Sequence, residues 1–275
     1  MTDHHADATS IQEIYATLDA TYRDDVWHWM PDVAPDPMQI MAGAVLVQHT
    51  TWTNAERALG ALRGAGLLDP HPILSTPVSE IEALVRVSGT PSVKTRRLRA
   101  LCEAIVRAGG VDAFLAQPAG ALRGALLSTH GIGPETADAI ALYAGGKRLF
   151  VIDAYTRRIF GRLGVGPDAD GYDAWQGWFE QGSKSREQKA ESRGQQQTAN
   201  SKQQSGEGRE QRAESRDAER IVEVYRRYHG YILLHAKALC RATPRCGACP
   251  LLARCPEGRA RTQHEAPVAA IGAAL

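Results

Sequence analysis

Four cysteines, Cys240, Cys246, Cys249 and Cys255, fall within sixteen residues near the C-terminal end of the chain. Thiols this close in sequence are either disulfide partners or metal ligands. A disulfide scaffold belongs to small secreted proteins, and 275 residues can bury a core without one. Structural zinc usually takes two separated Cys-x-x-Cys-like pairs, whereas only Cys246 and Cys249 form a close pair here. Four thiolates on one short loop suit a [4Fe–4S] cube, with zinc as the alternative. The fifth cysteine, Cys102, sits in an apolar helical pattern and reads as core.

Two further segments carry chemical potential. Ser128-Thr129-His130-Gly131-Ile132-Gly133-Pro134-Glu135-Thr136-Ala137 joins two helical patterns. A Gly-x-Gly there allows a sharp turn, and Pro134 starts the next helix where a missing N–H costs nothing. Exposed amides at such a junction bind phosphate without needing net charge. Downstream, Phe150-Val151-Ile152-Asp153 leads into a helix with Asp153 at the N-cap. A cap alone is an ordinary structural role. A carboxylate held by helix amides also stays ionised, as oxocarbenium stabilisation or water activation requires.

The elements that must position these groups read as all-α. Ile11, Ile14, Tyr15, Leu18 and Tyr22 recur at helical spacing, as do apolar residues from Met38 to Leu62 with a break near His49–Thr53. Gly- and Pro-punctuated amphipathic segments follow at Val78–Val87, Lys94–Ala108, Val111–Ala116 and Gly120–Ser128. Between Phe179 and Ile221 there is no Val, Ile, Leu, Met or aromatic residue, and REQKAESR at Arg186–Arg193 returns as REQRAESR at Arg209–Arg216. Residues 181–220 are therefore expected to be a low-complexity, disordered insertion, with a partly helical arm touching the DNA backbone as the alternative.

The formal net charge is only +1, so bulk charge does not argue for nucleic-acid binding. Basic residues are clustered instead, at Lys94, Arg96, Arg97 and Arg99, at Arg157 and Arg158, and around the cysteines at Arg241, Arg245, Arg254, Arg259 and Arg261. Such runs are ordinarily solvated faces. No apolar run of membrane-spanning length and no secretory leader pattern is present, which sets a cytoplasmic protein as the expectation.

The hairpin, the aspartate eighteen residues past Glu135 and the cysteine loop after LLHAKALC together resemble endonuclease III and its relatives in the helix-hairpin-helix glycosylase superfamily. The resemblance runs from about Trp27 to Cys255, excluding the insertion. It implies a six-helix barrel over 37–148 that ends in the hairpin. It also implies a discontinuous helical iron–sulfur domain from 10–36 and 149–264, with DNA in the cleft between them and the target nucleotide flipped out of the stack. A [4Fe–4S] cluster on the four cysteines, a monovalent cation at the hairpin, and a monomer acting on double-stranded DNA with a damaged base in the cytoplasm, at the nucleoid, are further implications.

Within that family the match is nearest to glycosylases for alkylated purines such as 3-methyladenine. Trp29-Met30-Pro31 followed by MQIMAGAVLVQHTTWTN resembles their base pocket and Gln-bearing loop. The resemblance puts Trp29 and Pro31 against the flipped base, Gln48 in the gap it leaves, and His49 and Trp52 near the pocket. It gives Gly131, Ile132, Gly133 and His130, with Arg157 and Arg245, to the DNA backbone. Strand-cutting members carry a Schiff-base Lys where this chain has Glu135. Met30 replaces a second pocket Trp, the first cysteine gap is five residues rather than six, and Gly89–Lys94 lacks the usual Tyr-Asn. Glu135 in place of that Lys implies a monofunctional glycosylase with Asp153 as its catalytic carboxylate. The alternatives are a bifunctional glycosylase/lyase for oxidised pyrimidines, using an amine such as Lys147 or Lys237, and a non-catalytic binder of damaged DNA.

Overall fold

The structure, a computed structural model, describes residues 4–25, 36–182 and 206–264. Among them there are helices and turns and no strand. Trp29 and Pro31 lie outside the described residues, as does 183–205 of the low-complexity segment. The chain divides into two compact units.

The larger unit takes Trp27–Val151 with Ser215–Tyr225. Its helices are α2 (Pro37–Leu46), α3 (Trp52–Gly64), α4 (Pro70–Ser75), α5 (Val78–Val85), α6 (Pro91–Arg107), α7 (Val111–Ala116), α8 (Ala119–Leu127) and α9 (Pro134–Tyr143). The starts follow local chemistry. Asp36 accepts the Met38 amide at 2.8 Å, and prolines occupy the first turns of α2, α4, α6 and α9, where no N–H is required. The break between α2 and α3 falls at residues 47–51, where Thr51 caps α3. Met41, Val45, Leu59, Leu62, Ile81, Leu98, Leu101, Ile105, Leu126 and Ile140 fill one core, with Cys102 fully buried among them.

The second unit takes Met1–Val26, Ile152–Glu214 and Arg226–Leu275. It contains α1 (His4–Tyr22), α10 (Ala154–Leu163), α11 (172–182), most of α12 (Gly206–Ala238) and α13 (Pro256–His264). The stripe Ile11, Ile14, Leu18 and Tyr22 is buried, and Tyr228 donates to the Ile11 carbonyl at 2.9 Å. An aromatic cluster centres on Phe160, edge-on to Phe179 at 4.7 Å, with Tyr228 at 6.2 Å.

Two features depart from the sequence reading. Helix α12 begins at Gly206, inside the segment read as an insertion. Its Glu, Gln, Arg and Ala residues are good helix formers even without an apolar stripe. In addition, residues 215–225 join the larger unit rather than the cysteine-bearing one, with Tyr225 edge-on to Phe150 at 5.3 Å. For residues 184–205 a fold-neutral role is expected. Replacing them with a Gly/Ser linker of equal length should move the thermal midpoint by less than about 2 °C, since polar side chains without apolar area contribute little to a core. A larger drop in calorimetry would assign the segment a packing role.

Candidate active site and cysteine cavity

The hairpin between α8 and α9 is built by backbone geometry. Gly131 has φ +80°, and a Cβ there would lie 2.4 Å from the Arg97 side chain, so the position needs glycine twice over. The Ile132 N–H donates to the Thr129 carbonyl at 3.1 Å, and its side chain is buried in the core. This corrects the expectation that the Gly131, Ile132 and Gly133 amides all face phosphate, because the Ile132 amide is used inside the turn. Pro134 opens α9 with Glu135 exposed in its first turn, where a carboxylate complements the helix dipole. The flanking helices are clamped by Arg123 on the fully buried Asp138 at 2.8 Å.

Gln48 is drawn into this turn. Its Nε2 donates to the Gly131 carbonyl at 3.2 Å and to the Thr136 hydroxyl at 2.9 Å, while its Oε1 accepts from Arg97. The side chain assigned by resemblance to the gap in the DNA therefore braces the hairpin here. The next residue, His49, is exposed with φ +54°, an uncommon conformation for a residue with a Cβ. Trp52 opens α3, half-buried, with its ring against α2 at Gly43. Lys94 belongs to no solvated basic face. It is 2% exposed and its ammonium donates to the Leu46 and Ser88 carbonyls. Burial first, then Arg97, lowers its pKa to about 8. His130 is exposed.

In the other unit, Asp153 caps α10. Its Oδ1 accepts from the Thr156 amide at 2.7 Å and the Thr156 hydroxyl at 2.8 Å. Its Oδ2 lies 3.7 Å from Nε2 of His229 on α12, and both side chains are more than nine-tenths buried. Burial pushes the carboxyl pKa up, but His229 and the two Thr156 donors outweigh it and hold the group below the ordinary carboxylate range. Asp153 is thus a buried, ionised carboxylate with one oxygen fixed and the other directed at an imidazole. Arg157, one turn on, is drawn to the exposed Asp170 at 2.8 Å and lies over Trp175.

Cys240, Cys246, Cys249 and Cys255 line one small cavity, together with Arg162, Leu239, Pro244, Arg245 and Leu252. Arg162 donates to the Cys240 sulfur at 3.4 Å and to the Arg241 and Ala242 carbonyls, and the Gly258 amide donates to Cys255 Sγ at 3.2 Å. Burial, reinforced by the neighbouring thiols, raises the Cys246 and Cys249 pKa values. Among the described residues no three His, Cys, Asp or Glu side chains converge closely enough to hold a single metal ion. Behind the cavity, His235 Nδ1 meets the Tyr22 hydroxyl at 3.0 Å and its Nε2 lies 3.6 Å from Cys249 Sγ. Burial lowers the His235 pKa to about 4, so the ring is neutral near pH 7.

The family model for HhH-GPD superfamily base excision DNA repair proteins matches residues 42–180, which include both the hairpin and Asp153. The chain belongs to the HhH-GPD superfamily. A relative from Methanocaldococcus jannaschii, named as a DNA repair glycosylase, is 31% identical over 217 residues, covering 78% of this chain and 82% of that protein. The endonuclease III of Sulfolobus acidocaldarius is 31% identical over 121 residues, 44% of this chain and 53% of that one. Among solved structures, H. pylori 3-methyladenine DNA glycosylase bound to 1,N6-ethenoadenine aligns with a TM-score of 0.64 at 25% identity, over 82% of this chain and 96% of that one. An endonuclease III–DNA complex aligns with a TM-score of 0.66 at 19% identity, over 93% and 98%, which establishes a shared all-α fold. Sequence inspection of this HhH-GPD chain passes over His229, Thr156 and His235, and reads Arg97 only as part of a basic run. Only His235 had a local signal, its place five residues before Cys240.

Proposed function

We propose that the chain is a monofunctional DNA glycosylase that hydrolyses the N-glycosidic bond of an alkylated purine flipped out of duplex DNA. The observation that carries this reading is Asp153, an ionised buried carboxylate with one oxygen locked by Thr156. A charge held in place before reaction stabilises a sugar cation without reorganisation. The H. pylori enzyme, named for 3-methyladenine, supports the substrate class. So does leaving-group chemistry, because an N3-alkylated purine is already cationic and departs with little help. As the C1′–N bond breaks, its electron pair leaves with the base. Water then bonds to C1′ and passes a proton to Asp153 Oδ2. The amides of Gly131 and Gly133 and the basic loop residue Arg245 would hold phosphates.

The four cysteines fit a [4Fe–4S] cluster. All four thiols line one cavity, and four thiolates are the donor set that such a cluster takes. Bound there, the cluster would supply a covalent staple for the loop that carries Arg245. Arg162 would direct a donor at the Cys240 sulfur, and His235 would stand beside that of Cys249.

Base release from a panel of damaged duplexes, with strand cleavage scored separately, tests the assignment. Free 3-methyladenine-type base with intact strands is the expected result. Strand cleavage with a borohydride-trapped adduct in the wild type would place the chain among the lyases. Glu135→Lys restores the amine position of strand-cutting relatives and should yield trapped adduct where the wild type gives none. Folding should be unaffected, since an exposed first-turn carboxylate contributes at most about 1 kcal/mol.

A further inference from the structure

Asp153 has two oxygens with different surroundings. Oδ1 is committed to the Thr156 amide and hydroxyl, so any chemistry falls to Oδ2. Across from Oδ2, at 3.7 Å, is His229 Nε2, brought from the C-terminal third of α12 and only 6% exposed. That separation exceeds a direct hydrogen bond but lets a single water contact both atoms at ordinary distances of about 2.8 Å. The imidazole is buried, and the preceding residue, Tyr228, packs against Phe160 and Phe179.

We propose that His229 is a positioning residue for hydrolysis, forming with Asp153 Oδ2 a two-point seat for the attacking water. The proposal rests on the glycosylase reading above and adds to it the residue that orients the nucleophile. The balance is simple. The water oxygen bonds to C1′, the C1′–N electron pair leaves with the base, and one water proton goes to Asp153 Oδ2. His229 makes and breaks no covalent bond. Its contribution is orientation, which catalytic groups of this kind supply at roughly tenfold to a hundredfold in rate.

The test compares His229→Gln with His229→Asn in the full-length protein, on a duplex carrying 3-methyladenine. A Gln amide reaches about as far as an imidazole Nε2, and an Asn amide stops a bond short. His229→Gln should keep the single-turnover rate within about threefold of wild type, and His229→Asn should lose tenfold or more. Dissociation constants for an abasic-analogue duplex should be unchanged in both. Equal loss in the two variants would mean that the ring serves packing, and wild-type rates in both would mean that it serves nothing in hydrolysis. Either result overturns the proposal. A wild-type protein that releases no base from any duplex overturns the glycosylase reading and takes this proposal with it.

Discussion

Asp153→Asn is expected to lower the single-turnover rate of base release by about a hundredfold or more, the usual cost of removing a preorganised group facing developing charge. Affinity for an uncleavable duplex and the thermal midpoint should stay near wild type. The reason lies in the two roles of the side chain. Asn caps helices about as well as Asp, so its Oδ1 can still accept from Thr156 and α10 keeps its start. What is lost is the negative charge on the second oxygen, beside His229. The variant thus separates capping from catalysis, and a rate within tenfold of wild type would remove Asp153 from the mechanism.

The second large effect concerns the cysteine loop. The purified protein should be yellow-brown, absorb broadly near ~400 nm and hold about four irons. Cys249→Ala should lose the iron and unfold at least about 10 °C lower. Binding to a folded site is folding free energy, and each kcal/mol lost shifts the midpoint of a chain near this size by roughly 2–4 °C. Cys249 is the informative choice because His235 points at its sulfur and Tyr22 of α1 stands behind His235. Its loss therefore reaches the core of the unit. One zinc per chain and no iron, after anaerobic preparation, would replace the cluster with a zinc site.

Much of this was legible locally. The apolar spacing in α1, the break between α2 and α3, and the prolines opening helices are written in neighbouring residues. So is the cap at Asp153, because N-caps act over three positions. The residues that complete the site are set by long-range packing. Gln48 meets a hairpin 83 positions away, and nothing near it in sequence records that its amide is used there. His229 lies in a stretch rich in Tyr and Arg and looks like any helical residue until α12 is packed against the start of α10. The N-terminal turns of α12 were legible only as the helical-arm alternative, for a different reason. Their lack of apolar residues removes the periodicity from which helices are read, although helix propensity is high.

Helix α12 places His229 towards Asp153 and, six residues on, His235 towards Cys249. Along a helix that is about 9 Å of rise and about 240° of rotation, so the two imidazoles leave by different sides. Inserting or deleting one residue between them would turn everything downstream by about 100°, and one of the two contacts would have to be given up. Substitutions in this stretch can be absorbed one at a time, but its length cannot drift. The duplicated REQ-x-AESR element lies wholly upstream of it. In that part of the chain, lengthening leaves the spacing of the two histidines untouched.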